Sequence, residues 1–136
     1  MNFDPSAFVG DQALVGTLLE RARAIDCSHD RVLFCQGDVP SGIYVVLNGE
    51  VTLVMESLSK EILISVPAEP GSLLGLPGLV GNCPYSLSAY AKRGSHVSFV
   101  SREDFSALMM SEPTLSMMIL KVLASEVRSA RVAMAG

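Results

Sequence analysis

Between Arg31 and Ser101 the chain breaks into short β-rich runs, each closed by glycine or proline within a few residues. RVLFC ends at Gln36-Gly37-Asp38 and Pro40-Ser41-Gly42. IYVVLN ends at Asn48-Gly49, EVTLVME at Ser57 to Lys60, and EILISVPA at Glu69-Pro70-Gly71; SHVSFVS follows the turn Lys92-Arg93-Gly94. β-Branched and aromatic residues fit a pleated surface, and glycine and proline punctuate it. Short strands so spaced predict an antiparallel sandwich or a jelly roll. Val51, Leu53 and Met55 alternate with Glu50, Thr52 and Glu56, as in a half-buried strand. Asn48-Gly49 between two such runs predicts a two-residue hairpin turn, since both central residues of a type I′ turn need φ > 0.

Helical periodicity flanks this region. Asp11 is a candidate cap for a helix over about 12–24, with Leu14, Leu18, Leu19, Ala22 and Ile25 as its apolar stripe. Ser101 starts a second helix, with Glu103 and Asp104 in its first turn and Phe105, Leu108 and Met109 on its buried face. Ser111 and Pro113 restart the helix, which runs from about Thr114 to Ala133. Its apolar surface is too broad for one-sided packing on a sheet. A homodimer is therefore expected, with Leu115, Met118, Ile119 and Val122 at its interface; burial within one chain is the alternative. The organisation expected is a single domain over 1–136, with the strands at about 31–101 and C-terminal helices at about 102–133.

The chain is 49% hydrophobic and 18% charged, which supports a packed core. Its net charge of −4 gives no long-range attraction to DNA or an anionic membrane. No apolar run approaches the ~20 residues of a spanning helix, and MNFDPSAFVG does not read as a signal peptide. Cys27, Cys35 and Cys83 form no C-x-x-C pair, and neither His29 nor His96 lies at metal-ligand spacing from a cysteine. Reduced thiols in a cytoplasm are the expectation, with no metal. No G-x-S-x-G elbow or Ser/His/acid set appears, so an enzyme is not expected.

The stretch Gly71 to Ala91, GSLLGLPGLVGNCPYSLSAYA, has the outline of an anion cradle. A strand ends, Gly75 turns the chain, a short helical turn exposes free N–H groups, and a second strand leaves through Tyr85, Ser86 and Ser88. Yet it contains no Arg, Lys, Glu or Asp. Gly75, Leu76, Gly78, Leu79, Tyr85 and Ser86 are the candidate lining residues, with Arg131 reaching in from the last helix.

Arg31-Val-Leu-Phe-Cys-Gln-Gly-Asp38, Gly42-Ile-Tyr-Val-Val-Leu-Asn-Gly49 with Val51, Gly71 with Gly75, and Val97-Ser-Phe-Val-Ser-Arg-Glu-Asp-Phe105 together resemble the cyclic-nucleotide-binding domain. More narrowly they are similar to the effector domain of the catabolite-activator and fumarate–nitrate regulator (Crp/Fnr) family, without its DNA-binding part. The resemblance implies a mainly β fold: an eight-stranded jelly roll (double-stranded β-helix) between an N-terminal helix and a long C-terminal helix. It also implies three side-chain handles on the nucleotide, and all three are changed. The acidic residue for the ribose is replaced by Leu76. The arginine for the cyclic phosphate is replaced by Tyr85, allowing one residue of loop shortening. The hydroxyl pair on the C-terminal helix is replaced by Ala130 and Arg131; only Ser86 matches a hydroxyl that can touch phosphate. Losing one partner of a buried charge pair costs about 2–5 kcal/mol, and each ~1.4 kcal/mol is tenfold in affinity. Ordinary cyclic AMP or cyclic GMP binding is therefore not favoured, and no other cofactor is expected. The expected function is a regulatory small-molecule sensor domain signalling through a homodimer. The alternative is a ligand-free dimerisation or protein-interaction module. Direct DNA binding by this chain and membrane association are not expected.

Overall fold

The computed structural model describes residues 3–135, with side chains through Ala130. Eight strands form two four-stranded antiparallel sheets. One has the order β1 (Arg23–Ile25), β8 (His96–Ser101), β3 (Gly42–Asn48), β6 (Leu73–Leu74); the other β2 (Arg31–Phe34), β7 (Ser88–Ala91), β4 (Val51–Glu56), β5 (Ile62–Ala68). This is the jelly roll expected from the spacing of the runs. The first sheet is buried on both faces, and the period of two in β3 shows how. Tyr44 and Val46 point into the roll between the sheets, while Ile43 and Val45 point out to a second core under the helices. The second sheet turns Val32, Tyr90 and Ile62 to solvent.

Helix α1 (Gln12–Leu19) starts where expected, with the Asp11 carboxylate accepting from the Ala13 amide at 2.8 Å. It ends five residues before the expected boundary at 24. The amides of Glu20, Arg21 and Ala22 bond back only three residues, tightening the last turn. Arg23, Ala24 and Ile25 then pair with Phe99, Ser98 and Val97 of β8, and the Arg23 guanidinium lies 5.0 Å from the Phe99 ring centroid. The free edge of β8 thus outweighs helical periodicity, and Ile25 joins the roll interior instead of the helix stripe. The roll consequently begins at Arg23, before the expected start at 31.

The Asn48-Gly49 hairpin is also not formed. β3 pairs with β6 and β8, and β4 with β5 and β7, so the chain passes from one sheet to the other at this point. Gly49 has φ +101°, but Asn48 is not in the left-handed region that a type I′ turn requires of both residues. Ser95 accounts for the glycine: a Cβ at position 49 would lie 2.5 Å from its Cα. The hairpin that does form joins β4 to β5, with Lys60 at φ 69°.

Ser101 caps α3 (Arg102–Ser111) through the Asp104 amide, and Pro113 opens α4 (Pro113–Ala135). Ser111 belongs to the last turn of α3, where its hydroxyl donates to the Leu108 carbonyl, and does not cap α4. One stripe of α4 faces inward. Leu115, Ile119 and Val122, expected at a dimer interface, pack into the helix-side core beside Leu14, Leu18 and Phe105, and Met118 lies partly buried against it. Their spacing of four and three fits one helix face equally well against a neighbour in the same chain. Met117, Leu120, Ala124 and Val127 form the exposed stripe on the opposite side. Among the described residues no single helix is long and apolar enough to cross a membrane.

Candidate functional site: a small cavity beside Tyr85

β6 ends at Gly75, which adopts φ +92° at the start of α2 (Leu76–Gly81). A Cβ there would come 2.6 Å from Tyr85 Cε1, so only glycine lets the backbone pass this ring. Tyr85 folds inward. Its hydroxyl donates to the Gly42 carbonyl at 2.7 Å, and its ring stacks on Phe34 with centroids 4.2 Å apart. Phe34 in turn neighbours Tyr44, and Tyr44 neighbours Phe99, so an aromatic row crosses the roll from cradle to first sheet. Burial pushes the Tyr85 phenol above its ordinary value, which keeps the hydroxyl a neutral donor.

Gly75, Gly78, Tyr85 and Ser86 come together around a cavity of ≈ 20 Å³, enough for about one water. Leu76 and Leu79 do not join them. Their side chains turn into the helix-side core, Leu76 with no exposure at all, because the first turn of α2 points them at α1, α3 and α4. Pro77 lines the cavity and has no N–H to offer. Ser86 is exposed at the rim. The side chain of Arg131 lies outside the described residues, and Ala130 is half-buried on α4.

Two lining residues lacked any assignment from sequence. Phe8 enters from the 3-10 turn Pro5–Phe8 near the N-terminus and is 2% exposed. Glu126 enters from α4 and is 8% exposed. Among the described residues its Oε2 has no hydrogen-bond partner, and burial pushes its pKa from 4.5 up to about 8. A signal for Glu126 was present: 115, 119, 122, 126 and 129 continue one helical stripe, and an acid on an apolar stripe marks a buried carboxyl. Phe8 had none, since the turn around Pro5 has no periodicity.

The described lining residues include no cation and one acidic group, Glu126.

Fold and site together define a β-roll of cyclic-nucleotide-binding type. The model of the cyclic nucleotide-binding domain matches residues 24–112, and the chain belongs to that family, in its Crp/Fnr branch. It is 30% identical over 98 residues to the cyclic AMP receptor protein of Thermus thermophilus, an alignment covering 72% of this chain and 45% of that protein. The chain thus spans about half the length of this curated relative. The solved catabolite activator protein of Thermus thermophilus superposes with a TM-score of 0.76 at 26% identity, over 97% of this chain and 62% of that one. The sensor domain of the transcriptional regulator DNR from Pseudomonas aeruginosa shares the fold, with a TM-score of 0.67 at 14% identity, over 88% of this chain and 81% of that one.

Proposed function

We propose that this chain is a regulatory sensor domain whose phosphate cassette has changed its ligand, and that it signals through a homodimer. The observation that carries this reading is the Tyr85 ring, held by Phe34 and the Gly42 carbonyl in the place where the family resemblance calls for an arginine. A phosphate there would lose its charged partner and meet the buried Glu126 carboxyl. Neither effect favours an anion. No catalytic role is proposed, and no DNA contact by this chain.

Thermal-shift measurements test the ligand half. A ligand bound only by the native state stabilises it by about 2.7 kcal/mol at a hundred times its Kd. Cyclic AMP and cyclic GMP at millimolar concentration should move Tm little. A shift of several degrees at micromolar nucleotide would overturn the reading. For the dimer, Met117, Leu120, Ala124 and Val127 recur at spacings of three and four on the exposed side of α4, the seam of a helix pair. Leu120→Glu should give a monomer by light scattering, and an unchanged mass would refute this interface.

The small cavity favours a second reading, a ligand-free interaction module with its mouth filled. Unexplained density beside Tyr85 in a crystal of the purified protein would decide against it.

A further inference from the structure

We propose that the segment Phe3–Val9 is a built-in plug, with Phe8 as the stopper. We further infer that the ligand displacing it has an aromatic-sized apolar body and a hydrogen-bond donor or cationic head directed at Glu126. This rests on the sensor reading above and names the regulation and ligand class of that same site.

Phe8 belongs to the roll interior by contact, packing with Phe34, Leu53, Leu74 and Tyr85, yet it comes from outside both sheets. Its ring lines the cradle cavity, in which only ≈ 20 Å³ is left. The polar ties of the segment to the rest of the fold are few. The Asp4 amide donates to Ser129 Oγ at 2.8 Å, the Gly10 amide to the Gly71 carbonyl at 3.0 Å, and Val9 makes an isolated bridge to Ser72. Its remaining bonds are local: Asp4 caps its own turn through Ser6, and the Ala7 and Val9 amides bond back three residues. The stacked rings of Phe3 and Phe8, 5.2 Å apart, are both carried on this one segment. An element attached in this way opens below the cost of global unfolding.

Glu126 lines the same cavity as Phe8, and its carboxyl has a buried oxygen with no partner among the described residues. A native fold rarely leaves such an atom unsatisfied, so it points to a partner that arrives with a donor. The lining supplies aromatic and aliphatic walls for the rest of that partner, in the volume that the Phe8 ring vacates.

Amide hydrogen exchange on the intact chain tests the plug. The strap amides, those of Ala7 and Val9 in the segment and of Gly10 just after it, should be at least tenfold less protected than those of β3 and β8. Ser129→Ala, which removes one acceptor, should raise strap exchange up to about tenfold and leave β3 unchanged. Strap amides exchanging only with the whole molecule would overturn the plug. For the ligand class, Phe8→Ala opens the site, and the probe is benzylamine against phenyl phosphate. Benzylamine should bind at least tenfold tighter, and Phe8→Ala with Glu126→Gln should abolish that preference. Equal binding, or preference for the phosphate, would overturn the ligand assignment. If Phe8→Ala does not fold, the same pair of probes is titrated into Ser129→Ala with the same readings. Fast strap exchange combined with an unliganded roll in every screen would count against the sensor reading alone.

Discussion

The two cores of this small fold are built to different rules. The helix-side core, around Leu14, Leu18, Ile43, Val45, Leu73, Leu76 and Val100, is wholly aliphatic at its centre, and each of these side chains is at 0% exposure. The roll interior admits two tyrosines, a carboxyl and a void. Helix α4 runs past both: Leu115, Ile119 and Val122 serve the first, and Glu126 and Ser129 of the same stripe close the second. One core is specialised for holding the fold together. The other keeps polar groups, among them a carboxyl whose burial costs stability.

Leu76 tests this contrast most strongly, because its position resembles that of a ligand contact while its side chain lies in the aliphatic core. Leu76→Ala should cost about 3 kcal/mol, from lost burial and the cavity left behind. A fall in the denaturant midpoint at unchanged m-value would record it. A near-neutral result would place Leu76 in the cradle after all and blur the two cores into one.

Much of this was legible in advance. The strand runs, the caps at Asp11 and Ser101 and the cradle glycines are local signals, and local geometry followed them. What was not legible depended on distant partners. The Arg23 strand exists because β8 has a free edge, and Gly49 is a crossover because Ser95 sits against it. Leu115, Ile119 and Val122 carry the same pattern whether they face a partner chain or α1. Gly75, Gly78, Tyr85 and Ser86 share one stretch of sequence and one cavity, whereas Phe8 arrives from more than sixty residues away and leaves no periodic trace.

Glu126 sharpens the comparison next, since a carboxyl is absent from the helix-side core. Its folded pKa of about 8 lies above the ordinary 4.5, so the folded state holds the proton more tightly than the unfolded chain does. Below about pH 4.5 both states are protonated and the group contributes nothing. Between 4.5 and 8 the unfolded chain releases its proton first, and stability falls as pH rises. Above 8 the loss levels off. Glu126→Gln should therefore match the parent at pH 4 and exceed it at pH 9 by up to about 5 kcal/mol, read from urea unfolding at the two values. Parallel pH profiles for the two proteins would show that the carboxyl is hydrated and not sealed.

The smallest expected effect concerns Tyr85, and it separates packing from polarity within the roll. Tyr85→Phe keeps the ring on Phe34 and against Gly75, and deletes only the hydroxyl that donates to the Gly42 carbonyl. A single neutral hydrogen bond contributes about 1 kcal/mol net, so Tm should drop by a few degrees while the fold persists. Gly42 is held in place by its pairing with Ser101 in the β3–β8 ladder. The carbonyl stays where it is, with one donor fewer. A loss much larger than this would mean that the hydroxyl organises the whole aromatic row from Phe34 to Phe99. No loss at all would mean that shape alone keeps the cradle shut, leaving the roll interior closer in kind to the aliphatic core than its polar groups imply.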